Sequence, residues 1–123
     1  MRISRVVPNL TVSTRDDLDE AVTRHSVVLG LRVLMDHGWI VTLGDGEGHQ
    51  LSVMTRDASA PLNPDVSIFV DGVHEAYERA ISAGVEVVHP VTEEAWGVTR
   101  FFYRDHTGRV INVGMHSMQG QAS

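Results

Sequence analysis

Val6-Val7-Pro8-Asn9-Leu10-Thr11-Val12 and Asp65-Val66-Ser67-Ile68-Phe69-Val70 are two alternating runs, each followed at once by a segment with helical spacing. Period-2 alternation marks a strand with two unlike faces. After the first run, Thr14 precedes an acidic turn of Asp16, Asp17 and Asp19, which suits a helix N-terminus. Leu18, Ala21, Val22, His25, Val28 and Leu29 then recur at three- and four-residue spacing, and Gly30 ends the run. After the second run, Val73, Ala76, Tyr77, Ala80 and Ile81 form a matching stripe that stops at Gly84. Extended segments follow each helix. In the first half they are 31–35, 39–43 and 49–55, broken at Asp36-His37-Gly38 and Gly44-Asp45-Gly46-Glu47-Gly48. In the second half they are 85–89, 98–104 and 110–115, with a hairpin turn at Asp105-His106-Thr107-Gly108. A longer loop runs from His89-Pro90 to Trp96-Gly97.

The chain therefore reads βαβββ twice. The expected organisation is a first unit over 1–56, a linker over 57–64, a second unit over 65–116 and a mobile polar tail over 117–123. The expected fold class is α+β, with each helix on one face of its unit's sheet and the other faces lining a shared cup.

Composition narrows the function classes. At 123 residues the chain is one domain's worth, with enough length for a sizeable core. It has no cysteine, which excludes disulfides and thiolate metal sites and accords with a reducing compartment. No apolar run approaches the roughly 20 residues of a membrane span. Met1-Arg2-Ile3-Ser4-Arg5 lacks a signal-peptide core, so the expected location is the cytoplasm. The net charge of −6 argues against a nucleic-acid partner. No Ser-His-Asp order, P-loop or dinucleotide fingerprint is present, and the glycine run at 44–48 carries acids that would repel phosphate.

The run Glu94-Ala95-Trp96-Gly97-Val98-Thr99-Arg100-Phe101-Phe102-Tyr103-Arg104-Asp105-His106-Thr107-Gly108-Arg109-Val110-Ile111-Asn112-Val113 resembles the "PWG…F…RDPDGN.IEL" pattern of the vicinal oxygen chelate superfamily, the glyoxalase/bleomycin-resistance/dioxygenase group. Trp96-Gly97, Asp105 and Gly108 fit, while His106-Thr107 stand where Pro-Asp is common. Asp17-Leu18 and Val28-Leu29-Gly30-Leu31 are similar to the first-helix pattern, with Arg24-His25 where Phe-Tyr is common, and 71–84 matches the second helix. The resemblance covers nearly the whole chain and speaks to fold more than to substrate. It implies a homodimer and, in metal-dependent members, one His, Gln or Glu ligand on each of four cup strands.

Alternation assigns the faces. Val7, Asn9 and Thr11, then Gln50, Ser52 and Met54, then Asp65, Ser67 and Phe69, then Val110, Asn112 and Gly114 should face the cup. Pro8, Leu10 and Val12 should lie under the first helix. By the resemblance, the metal positions fall at Val7, Ser52, Asp65 and Asn112. Valine cannot ligate, and neutral serine and asparagine bind divalent metals weakly. One carboxylate is no site, so no metal and no cofactor are expected. The seven histidines are scattered; only His37 and His49, flanking the first hairpin, are placed to meet at a rim.

Several roles stay open. Trp96 reads equally as an aromatic wall or a structural plug. Trp39 suits core, dimer contact or ligand. Glu93 and Glu94 read as a solvated pair or as charge at the cup mouth. The facing of Arg100 is ambiguous. Asp65 is the candidate general base. The favoured function is metal-independent binding of an amphipathic or aromatic small molecule by Asn9, Thr11, Trp39, Gln50, Ser52, Met54, Ser67, Phe69, Trp96, Arg100 and Asn112. The alternatives are an enzyme of the same fold, either metal-dependent with shifted ligands or a metal-free isomerase using Asp65, and a regulatory module with a vestigial cup.

Overall fold

A computed structural model of the chain describes residues 1–117. The first unit is β1 (Ile3–Thr11), α1 (Arg15–Leu29), β2 (Arg32–Asp36), β3 (Ile40–Gly44) and β4 (Gln50–Met54). The second is β5 (Val66–Val70), α2 (Val73–Ala83), β6 (Glu86–Glu93), β7 (Val98–Arg104) and β8 (Val110–His116). All eight strands form one curved sheet in the order β2-β3-β4-β1-β5-β8-β7-β6. In each unit the first strand runs parallel to the last, β1 with β4 and β5 with β8. The antiparallel pair β1–β5, with Val7 opposite Ser67, joins the units. The fold is α+β, two βαβββ units related by an approximate two-fold axis through that seam.

Local chemistry starts and stops the helices as expected. The Thr14 hydroxyl accepts from the Asp17 N–H at 3.1 Å, Asp16 and Asp17 occupy the first turn, and Gly30 takes the left-handed conformation at φ 67°. Leu18 is 1% exposed and packs on Val41, Leu43 and Val53, with Val12, Ala21, Val22 and Leu31 around it. Val73 of α2 packs on Val70, Phe101 and Val113, flanked by Ala76, Tyr77 and Ala80.

The structure departs from the sequence reading in three places, and it adds one detail to the linker. Only part of the α1 stripe is used: Leu18 is buried, whereas Val28 and Leu29 are 72% and 62% exposed. Leu10 and Pro8 are not covered by α1. That helix lies mainly over β3 and β4, α2 lies over β6, β7 and β8, and the back of β1 is left bare, with Val6 and Leu10 exposed. The loop from His89 to Gly97 is mostly strand. β6 continues to Glu93, where Thr92 pairs with Arg100 and Glu93 with Thr99. Two register shifts absorb the extra residues, and Pro90, with no N–H to give the ladder, falls in the second. Finally, 57–64 has no helix or strand, yet it is tied down: Asn63 donates to the Thr55 carbonyl at 2.7 Å and accepts from the Asp57 N–H at 2.8 Å. The tail expected to be mobile lies, beyond Ser117, outside the described residues.

The uneven use of α1 gives a direct contrast. Leu18→Ala should cost about 2–5 kcal/mol in urea unfolding, whereas Val28→Ala should change stability by less than about 0.5 kcal/mol.

Candidate functional site

The concave face encloses a cavity of about 130 Å³. A water occupies on the order of 10–15 Å³ by the same measure, so a small organic molecule fits. Its floor is neutral and polar. Strand register sets Asn9 beside Ser52, Ser67 beside Asn112, and Thr42 beside Ser52. The Ser67 hydroxyl oxygen accepts from the Asn9 amide at 2.9 Å and from the Asn112 amide at 3.0 Å. Both its lone pairs are thereby used. Thr42 and Ser52 share a hydrogen bond of 2.7 Å. The buried Asn112 Oδ1 has no partner. Flipping that amide exchanges the unpaired atom and leaves one unpaired either way.

Arg100 builds one wall. Phe101 points into the α2 core, so Arg100 and Phe102 take the other face of β7, Arg100 lining the cavity and Phe102 packing with Ala60 and Val110, which resolves the ambiguity. Arg100 is 2% exposed. It donates to Asp57 at 2.7 Å, to the Ser59 hydroxyl at 3.0 Å and to Glu94 at 3.4 Å. Glu94 also meets His89 Nε2 at 3.2 Å. The guanidinium lies 5.0 Å from the Trp96 ring centre and 4.9 Å from that of Phe102. Glu94 is therefore a buried partner rather than a solvated loop residue, while Glu93 remains exposed. Burial pushes the Asp57 carboxyl up, but hydrogen bonds from Arg100 and Ser59 outweigh it and hold the pKa below the ordinary carboxylate value.

Arg5, Phe69 and His116 form the rim. Phe69 and His116 stack with ring centres 5.2 Å apart and planes 7° from parallel. Gly114 makes room for this stack: a Cβ there would sit 3.2 Å from Phe69 Cε1. Burial, then the charge of Arg5, holds the His116 imidazole below its ordinary pKa.

Of the residues expected in the site, Asn9, Trp39, Ser52, Met54, Ser67, Phe69, Trp96, Arg100 and Asn112 line this cavity. Thr11, Gln50 and Asp65 do not. Thr11 is exposed at the strand end and accepts from Asn63 at 3.1 Å. Gln50 accepts from Arg5 at 2.8 Å. Asp65 is exposed and its Oδ2 accepts from the Val110 N–H at 2.8 Å, so it caps a strand. His37 lines the cavity, but His49 turns away to bond Asp45 at 2.6 Å. That contact and the Glu47 N–H hold the Asp45 pKa at about 2, with the backbone bond the larger cause. The sequence reading missed Arg5, Asp57 and His116. Asp57 carried a faint signal, the Asp-x-Ser spacing that lets its carboxylate accept from both the Ser59 N–H and hydroxyl.

The divalent metal implied by the resemblance does not fit this donor set. Asn9, Ser67 and Asn112 are bonded to one another, Ser52 is bonded to Thr42, and all four are neutral. Among the described residues, no three His, Asp or Glu side chains are grouped to hold an ion.

The buried network has a charge imbalance that can be measured. One guanidinium faces two carboxylates, so Arg100→Met strands both and should cost about 3–5 kcal/mol. Asp57→Asn leaves Arg100 paired with Glu94 and should cost less, about 1–3 kcal/mol. Because the folded pKa of Asp57 is lowered, the unfolded chain binds more protons in acid. The stabilisation is full above the unfolded carboxyl pKa of about 3.9 and is lost as pH falls through the lower folded value. Urea unfolding from neutral pH into acid should show a shallower loss for Asp57→Asn than for the parent.

Comparison with known proteins places this geometry. A family model described as Glyoxalase/Bleomycin resistance protein/Dioxygenase superfamily matches residues 7–113. A member of that superfamily from Vibrio splendidus 12B01 is 19% identical at a TM-score of 0.68, covering 93% of this chain and 99% of its own. The hypothetical protein BH1468 from Bacillus halodurans C-125 is 14% identical at a TM-score of 0.71, with 97% and 98% covered. A Legionella pneumophila protein described as an NAD-dependent benzaldehyde dehydrogenase is 10% identical at 0.72, with 91% and 99% covered. At these identities the likeness is one of fold. No curated protein matches the sequence. With the family pattern spanning both βαβββ units and the intervening segment, the chain belongs to the glyoxalase/bleomycin resistance protein/dioxygenase superfamily.

Proposed function

We propose that this chain is a metal-independent small-molecule-binding protein that takes an amphipathic or aromatic ligand in its cup. One observation carries the reading: the floor is made of neutral polar side chains from the four central strands, under walls of Trp39, Met54, Phe69 and Trp96. Such a floor orients a ligand by hydrogen bonds and offers no nucleophile or metal centre. The isomerase alternative loses its base, because Asp65 lies outside the cavity and is engaged with Val110. The proposal includes a cytoplasmic location; no helix among the described residues is long and apolar enough to cross a membrane. It also includes a homodimer, supported by the exposed apolar residues Ile3, Val6 and Leu10 on the bare back of β1.

A thermal-shift and tryptophan-fluorescence screen, with each bound compound recovered and weighed by mass spectrometry, tests the function. Binders should come back unchanged, and affinity should be the same after chelator treatment. Trp96→Ala should weaken binding by about ten-fold or more, the loss of one stacked aromatic contact. Turnover of a bound compound, or affinity restored only by Zn, Ni, Fe, Mn or Co, would overturn the proposal.

A further inference from the structure

The charged groups on the cavity wall are not balanced alike. Arg100 is clasped by Asp57 and Glu94, and both Asp57 oxygens are taken, Oδ2 by Arg100 and Oδ1 by Ser59. Arg5, partly buried at the other side of the cavity, has only neutral partners. It donates to Gln50 Oε1 at 2.8 Å, contacts His116 Nε2 at 2.9 Å and stands 4.0 Å from the Phe69 ring centre. Among the described residues, no carboxylate lies within ion-pair distance of it. A guanidinium has five N–H donors and stays protonated even when burial lowers its pKa. A partly desolvated cation without a counter-ion favours an anion beside it.

The strand register says where that anion goes. Arg5 lies opposite Phe69 on β5, Phe69 opposite Gly114 on β8, and Gly114 opposite Arg100 on β7. This row borders that of Val7, Ser67 and Asn112, beyond which lies that of Asn9, Ser52 and Thr42. The Arg5 guanidinium thus stands at one end of an aromatic-walled space with a neutral polar floor. Of the two guanidiniums among the described residues lining the cavity, Arg5 alone is uncompensated, which matches a singly charged carboxylate better than a doubly charged phosphate.

We infer that the cup ligand is an aromatic carboxylate whose carboxylate accepts hydrogen bonds from Arg5. The inference rests on the reading that the cup binds a small molecule, and matched probes separate the two. The probes are 2-naphthoate with 2-naphthamide, and indole-3-acetate with indole-3-acetamide. Each is titrated to millimolar concentration while the indole N–H signals of Trp39 and Trp96 are followed by NMR. The carboxylates should bind about ten-fold or more tightly than their amides. Arg5→Gln should erase that preference and Arg5→Lys should keep most of it. Bound carboxylate should also raise the titration midpoint of His116, and the amide should leave it unmoved. If Arg5→Gln does not fold, the amide comparison and the His116 midpoint decide by themselves. Equal or stronger binding of the amides overturns the carboxylate inference and leaves the small-molecule reading intact. So does silence from all four probes while a neutral compound from the broader screen binds at the two tryptophans. Silence from both sets overturns both.

Discussion

The pairing of β1 with β5 is the constraint on which everything else depends. Among the described residues it is the only ladder between the two units, and it fixes which residues share the cup. Strand side chains alternate, so a slip of one residue would turn every side chain of one unit to the opposite face. Ser67 would leave Asn9, Phe69 would leave Arg5, and Val66 and Ile68 would enter the cavity. The hydrogen bond from Asn9 to Ser67 crosses this seam, and Ser67 binds Asn112 within its own unit. One hydroxyl therefore holds the polar floor to both halves. A buried network of this kind specifies an arrangement more than it stabilises it, because each member is costly to leave unpaired.

The buried ion network works in the other direction. Burying Arg100 with two carboxylates carries a desolvation cost that apolar residues of the same size would not. What it does is fasten the otherwise irregular 57–64 segment and the 94–97 loop to β7. Trp96 stands on this platform, over Arg100. The aromatic wall is thus positioned by charge rather than by hydrophobic contact alone.

The fold was legible in the sequence because it rests on local signals. Alternation gave the strands, Thr14 and Gly30 bounded one helix, and the second half repeated the plan. Facing was legible wherever a helix covers the back of a strand, as for β4, β5 and β8. It misled at Leu10, because alternation shows that two faces differ and not that the apolar face is covered. β6 was cut short because Pro90 reads as a breaker, whereas a bulge accommodates it. The charged half of the site was least legible. Arg5, Asp57 and Glu94 lie far apart in sequence, and what they do depends on which irregular segment folds beneath which strand. No spacing rule carries that.

The bare back of β1 has a mechanical consequence. Each helix is packed onto the strands of its own unit, so each half has its own core. Between them the back of β1 carries no third layer, whereas Ile68 and Val70 of β5 are covered by α2. What holds β1 there is its ladder, the Asn9–Ser67 hydrogen bond and the contact of Arg5 with Phe69 rather than a covering helix. The curvature of the sheet, and with it the aperture of the cup, therefore rests on two separate cores joined across a strand that only its ladder partners hold in place.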